Sequence, residues 1–171
     1  MQEKLKNIKL LLLDVDGILT DGSIIINDRG EETKVFHVRD GHGLKLVQRS
    51  GIRVGLLTGR ESGVVAHRSA ELGIDLVIQG AKDKLEKFDQ LLQQENLKAE
   101  QVAYLGDDLI DLPVLRRAGF SATASDGIVE VREMVDYVAP LPGGRGAVRE
   151  VCELLLRANG AWERVTARYQ R

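Results

Sequence analysis

Four stretches of the chain are almost wholly apolar, at residues 9–15, 53–58, 75–79 and 101–105, and each ends in a polar or glycine-containing turn. Short apolar runs that do not alternate suit strands buried on both faces, as in parallel sheets. Between and after them, apolar residues recur at three- and four-residue spacing over residues 43–50, 61–72, 82–95 and 109–118, which predicts helices. Strand alternating with helix implies βαβ units. The expected fold is therefore α/β, a three-layer Rossmann-like parallel sheet with helices on both faces.

Residues 20–38 break this rhythm. Two short β-type runs, around Ile24-Ile25-Ile26 and Lys34-Val35-Phe36, flank the turn-forming Asn27-Asp28-Arg29-Gly30 and predict a protruding β-hairpin. Further strands are expected at 120–124 and 137–139 and a last helix at 146–158. The tail at 159–171, which contains Trp162, is expected to be mobile. With no repeat, low-complexity tract or linker, residues 1–171 read as one domain.

Composition narrows the partners. The 171 residues are 43% hydrophobic and 29% charged, an ordinary balance for one globular core. Twenty-four Lys and Arg oppose 26 Asp and Glu, so no basic surplus drives binding to nucleic acid or to an anionic membrane. Small anions need only a local cluster of cations and stay open as ligands. Cys152 is the single cysteine and cannot form an internal disulfide, which suits a reducing compartment. The apolar run before Asp14 is too short for a signal h-region or a membrane span, so a cytoplasmic protein is expected.

The chemistry gathers at strand ends. Asp14 and Asp16, one residue apart and followed by Gly17, close the first buried strand. In open α/β sheets, ligands bind outside the carboxyl ends of the strands, and two carboxylates there call for a cation or hydrogen bonds to offset them. Thr58-Gly59-Arg60 ends the second strand, where amides and a hydroxyl can hold phosphate oxygens and a guanidinium can fork onto an anion. Lys84, in the first turn of a helix where the dipole disfavours it, suits a point charge that neutralises Asp14 and a phosphoryl group. Asp107 and Asp108, with Asp111 nearby, end the fourth strand, and oxygen ligands from separate strand ends are what Mg²⁺ accepts. His37, His42 and His67 are not expected to bind metal, because no two share a helix face and magnesium prefers oxygen.

In chain order, Asp14-Val15-Asp16-Gly17-Ile18-Leu19-Thr20, Thr58, Lys84 and Gly106-Asp107-Asp108 resemble the four motifs of the haloacid dehalogenase superfamily. The resemblance implies that Asp14 is the nucleophile, Asp16 the general acid and base, Thr58 a phosphate contact and Lys84 a charge stabiliser. It also implies Mg²⁺ as cofactor, held by Asp14, the Asp16 main-chain carbonyl and Asp107. An Asp at the second position marks phosphatases rather than dehalogenases in this superfamily.

The gaps between motifs leave no room for a cap domain. The hairpin with Arg39-Asp40-Gly41, the Thr58-Gly59-Arg60 turn, Gly106-Asp107-Asp108-Leu109-Ile110-Asp111 and the tail Pro142-Gly143-Gly144-Arg145-Gly146 further resemble the capless tetrameric phosphatases acting on 3-deoxy-D-manno-octulosonate 8-phosphate, over roughly residues 10–156. This implies a small-molecule acidic sugar phosphate as substrate, in lipopolysaccharide precursor synthesis. It implies substrate contacts from Asp16, Arg39, Asp40, Gly41, Lys45, Arg60, Arg68 and Lys84, and a homotetramer with shared active sites in which Arg68 reaches a neighbour. A nine-carbon acidic sugar phosphate, a protein substrate and an inactive oligomerisation module are the alternatives. Arg60 favours the eight-carbon acid, and the intact acidic set argues for activity. The sequence assigns no role to Asp108, Asp111 or Arg145.

Overall fold

In the computed structural model, which describes residues 1–170, a leading helix α1 (Gln2–Lys6) precedes the first strand, β1 (Leu10–Leu13). The chain then forms a hairpin, β2 (Ile25–Ile26) and β3 (Glu32–Thr33), followed by α2 (Val38–Ser50) and β4 (Arg53–Leu57). Next come α3 (Gly63–Leu72), β5 (Leu76–Ile78), α4 (Lys84–Gln94) and β6 (Val102–Leu105). The last part holds α5 (Leu112–Arg117), β7 (Phe120–Thr123), α6 (Val129–Arg132), β8 (Tyr137–Val138), α7 (Ala147–Ala158) and α8 (Trp162–Thr166).

Six strands form one sheet in the order β5-β4-β1-β6-β7-β8, and every pairing in it is parallel. The consecutive leucines of β1 divide between two cores. Leu11 and Leu13 pack with residues of α2 and α7, while Leu10 and Leu12 pack with residues of α4, α5 and α6. A fully apolar strand is thus what a sheet covered on both faces demands, and each buried leucine contributes roughly 1.5–3 kcal/mol. Helix α4 turns Phe88, Leu91 and Leu92 inward and is capped by Asp83, whose side chain accepts from the Glu86 amide at 3.0 Å.

The sheet and the helical layers agree with the sequence reading, and no cap is seen among the described residues. The sequence reading lacks α1 and α6, and several boundaries differ. The hairpin pairs over only two residues per strand, and Ile24, Ile25 and Ile26 are exposed. Val38 begins α2 rather than ending the hairpin, and that helix runs through Gly41 and Gly43. Those two glycines interrupt the apolar period, yet a Cβ at Gly41 would stand 2.4 Å from an Arg68 nitrogen, and one at Gly43 would lie 3.2 Å from the Arg149 Cα. The helix expected at 109–118 is divided into a 3₁₀ turn, Leu109–Asp111, and α5, with Pro113 in the first turn of α5, where its missing N–H costs nothing. Over residues 159–170 the tail forms α8 and a closing 3₁₀ turn, Ala167–Tyr169, and Trp162 lies under the guanidinium groups of Arg157 and Arg149, at 4.3 and 5.9 Å from its ring centre.

Beyond β1 the chain first builds β4 and β5 on one side and then crosses by α4 to build β6 on the other. The C-terminal end of β1 is therefore the switch point of the sheet, where an open α/β fold leaves a crevice. Asp14 is the residue immediately after β1.

Candidate active site

Asp14 is fixed by the backbone on both sides. Its amide donates to the Leu105 carbonyl at 2.9 Å, and its Oδ1 accepts from the Val15 amide at 2.7 Å. Its other oxygen, Oδ2, lies 2.9 Å from Lys84 Nζ. The ammonium also reaches Asp111 Oδ1 at 2.7 Å, so the first residue of α4 joins the ends of β1 and β6. Burial pushes Asp14 up to about 6 despite the opposing pull of Lys84. Burial also works against the charge on Lys84, but Asp14 and Asp111 outweigh it and hold its pKa above the ordinary value.

Asp111 is fully buried and is the hub of this end of the sheet. It accepts the Lys84 ammonium and the Tyr104 hydroxyl, the latter at 2.6 Å, on Oδ1. Its Oδ2 accepts from the amides of Asp107 and Asp108 at 3.1 and 3.2 Å. The residue left without a role by the sequence thus shapes the Asp107 loop and anchors the lysine. Asp108 caps the following 3₁₀ turn through the Leu109 amide at 2.7 Å.

Asp107 faces Asp14. Burial first, and then the charges of Asp14, Asp111 and Asp108, raise it to about 7. Carboxylate oxygens of Asp14, Asp107 and Asp111 lie within 4.8 Å of one another, and among the described residues the buried Asp107 Oδ1 has no hydrogen-bond partner. An orphaned carboxylate oxygen in a cluster of oxygen donors fits a hard divalent cation. The fit extends to Gly17, which turns the chain away from β1 at φ +87°, because a Cβ there would stand 2.0 Å from Asp107 Oδ2. Gly143 closes the same loop from behind, where a Cβ would lie 1.8 Å from the Gly17 carbonyl.

These residues open onto a cleft of about 250 Å³ walled by Asp14, Asp16, Thr58, Arg60, Asp107 and Asp108. Thr58 is buried at the end of β4, with its amide on the Ile78 carbonyl at 2.9 Å. Arg60 donates from Nη2 to Glu32 Oε1 at 3.1 Å, and its Nε lies 3.8 Å from Asp16 Oδ2. Asp16 meets a residue that the sequence did not single out, Lys34 of the hairpin, with 2.6 Å between Nζ and Oδ1.

Arg39, Asp40, Gly41, Lys45 and Arg68 do not wall this cleft. Arg39 is exposed on the first turn of α2. The buried Asp40 carboxylate accepts from the amides of Gly146 and Arg149 at 3.2 and 2.8 Å, so it caps the N-terminus of α7. Lys45 Nζ donates to the Glu71 carbonyl at 3.0 Å. Arg68 pairs with Glu71 at 2.8 Å, lies over the Phe36 ring at 5.5 Å and helps to wall a separate hollow with Lys34, Phe36, Val38 and His67. Arg145 stands at the surface, 3.5 Å from Asp21.

A switch-point crevice holding a lysine-bound aspartate, a second aspartate two residues on and a facing acidic loop defines a hydrolase built for phosphoryl or related group transfer. The chain belongs to the haloacid dehalogenase-like hydrolase family, whose family model matches residues 37–119. Within that family it is similar to 3-deoxy-D-manno-octulosonate 8-phosphate phosphatase KdsC of Escherichia coli strain K12, at 48% identity over 92% of this chain and 84% of the relative. A solved phosphatase of the same name from Moraxella catarrhalis, in complex with magnesium ion, phosphate ion and a KDO molecule, superimposes with a TM-score of 0.96 at 45% identity, covering 98% of this chain and 97% of that one. The Yersinia pestis structure of that name gives 0.93 at 43% identity, over 95% and 88%.

Proposed function

We propose that this chain is a Mg²⁺-dependent phosphatase that hydrolyses 3-deoxy-D-manno-octulosonate 8-phosphate to the free sugar acid and phosphate, a step of lipopolysaccharide precursor synthesis. The observation that carries the reading is the setting of Asp14: a buried carboxylate held by Lys84 on one oxygen and by a backbone amide on the other, at the floor of a cleft flanked by Arg60. The relatives named above support the substrate, and Arg60 supplies a cation for an acidic sugar.

In this reading Asp14 attacks phosphorus in line and forms an aspartyl phosphate. Lys84 offsets charge on the phosphoryl oxygens, and Thr58 binds one of them. Asp16 gives a proton to the departing sugar oxygen and then takes one from the water that cleaves the aspartyl phosphate. The carboxylates of Asp14 and Asp107 and the main-chain carbonyl of Asp16 would hold Mg²⁺, which would supply the positive charge that lets these carboxylates ionise together beside a dianionic phosphate.

The cleft of a single chain is open, and Arg39, Lys45 and Arg68 lie outside it. Their part in binding belongs to a homotetramer in which hairpins cover one another and a neighbour's cations complete the site. The hairpin supports this assembly, since a two-stranded ribbon bearing Ile24, Ile25, Ile26 and Val35 on the surface needs cover. No helix of the described residues is long and apolar enough to cross a membrane.

The test is a panel of sugar phosphates, eight-carbon and nine-carbon acids and neutral hexoses, assayed with Mg²⁺ and after exhaustive chelation. Preference for the eight-carbon acid with loss of activity on chelation is expected. Equal turnover of neutral hexose phosphates, or activity that survives chelation, refutes the reading.

A further inference from the structure

Lys34 follows β3 on an otherwise exposed hairpin, yet only 1% of its side chain meets solvent. An ammonium is costly to bury unless it is paired and hydrogen-bonded. Here two carboxylates receive it: Asp16 Oδ1 at 2.6 Å and Glu32 Oε1 at 3.1 Å. Glu32 also accepts from Arg60 Nη2 at 3.1 Å and from the Ser62 hydroxyl, and the Ser62 amide donates to Gln79 Oε1 at 2.7 Å. The hairpin is thus tied through ionic and polar contacts to the loops that follow β4 and β5.

The two oxygens of Asp16 are treated differently. Oδ1 is held by Lys34 at 2.6 Å, whereas Arg60 Nε stands 3.8 Å from Oδ2, beyond hydrogen-bond length. A carboxylate that must pass a proton needs one oxygen anchored, to fix its rotamer, and the other open toward the reacting atoms. We infer that Lys34 is a positioning residue for proton transfer: it pins Asp16 Oδ1 so that Oδ2 exchanges the proton with the leaving group and then with water. Because Lys34 rides on the hairpin, docking of the hairpin and poising of the acid are one event. The inference rests on the reading of Asp16 as the acid and base.

The test compares two leaving groups in the Mg²⁺-loaded full chain under single-turnover conditions. A sugar phosphate expels an alkoxide that needs a proton, whereas p-nitrophenyl phosphate expels a phenolate that does not. Lys34→Met, which keeps the stem and removes the charge, is expected to slow first-turnover cleavage of the sugar phosphate by about tenfold or more at saturating substrate, a part of the roughly 10²–10⁴ that positioned acid catalysis contributes. First-turnover release of p-nitrophenolate should change less than about threefold, since that step needs no acid. Lys34→Arg should restore most of the sugar phosphate rate.

Equal slowing of both substrates, or slowing of neither, overturns the inference. If Lys34→Met does not fold, Lys34→Gln is read in the same way. Asp16→Asn separates the two levels: if it lacks the leaving-group selectivity, the acid role of Asp16 fails and the inference with it. If Asp16→Asn has the selectivity and the Lys34 variants do not, the inference about Lys34 alone fails.

Discussion

Gly17 and Asp107 share a space that holds only one of a methyl group and a carboxylate: a Cβ on Gly17 would stand 2.0 Å from Asp107 Oδ2. The same glycine sits at φ +87°, where L side chains are strained by roughly 1–2 kcal/mol. Gly17→Ala is therefore expected to fold with a lower Tm and to displace the Asp107 carboxylate. Calorimetric titration should show Mg²⁺ affinity weakened by about tenfold or more, as when the shell supporting a metal ligand is disturbed. Unchanged affinity would mean that Asp107 is not a ligand.

Asp40 presents a choice between two roles that one variant separates. Its carboxylate accepts from two amides at the start of α7 and is buried. Asp40→Ala should lower stability by about 1 to 2 kcal/mol, the usual loss for a cap, with KM for the sugar phosphate little changed. A raised KM with unchanged stability would instead give Asp40 a place in substrate binding.

How much of this was legible in the sequence depends on the range of the interaction. Asp14, Asp16, Thr58, Lys84 and Asp107 each end or follow an apolar run, so local pattern and topology brought them to one crevice. The Lys34–Asp16 contact spans 18 residues across a hairpin, and nothing in Glu31-Glu32-Thr33-Lys34 distinguishes a buried ammonium from a solvated one. Asp111 was visible as a third acid, but its four donors come from α4, β6 and the loop that follows β6, and only the fold assembles them. The start of α2 was missed because Gly41 and Gly43 weaken a helical pattern; their neighbours Arg68 and Arg149 supply the reason for glycine, and both lie far along the chain. The short helix α8 was missed for the same cause, since Trp162 packs against arginines of α7.

Metal-free stability should fall as pH rises through the range where Asp14 and Asp107 lose their protons. Both groups titrate higher in the folded protein, about 6 and about 7 against an ordinary 3.8, with burial the leading cause. Between these values the folded state binds more protons than the unfolded state, so ν_U − ν_N is negative and stability declines with pH. Mg²⁺ held by the ionised carboxylates would reverse the effect. Thermal denaturation should show a lower Tm at pH 8 than at pH 5.5 without metal, and a larger gain from saturating Mg²⁺ at pH 8. A gain independent of pH would exclude these carboxylates as the metal site.

The hairpin gives the last expectation, that assembly and affinity for the acidic sugar phosphate are lost together. Ile24 and Ile26 are 58% and 55% exposed and Val38, at the start of α2, 78%, around a two-stranded ribbon too short to stand alone in water. Ile24 and Ile26 are exposed and do not line the chain's own cleft, so Ile24→Asp with Ile26→Asp should leave the chain folded and Asp14 in place. In sedimentation the native protein should run near four times the chain mass and this variant near one. If a neighbour's Arg68 completes each site, the monomer should lose affinity for the acidic sugar phosphate while still cleaving p-nitrophenyl phosphate, which has no carboxylate to bind. Mixing Asp14→Asn with Arg68→Ala then restores activity, because a hybrid oligomer pairs an intact nucleophile on one chain with an intact arginine on the next. A dispersed variant with full activity on the sugar phosphate, or hybrids that stay inactive, would place the whole site within one chain and leave the exposed isoleucines to another purpose.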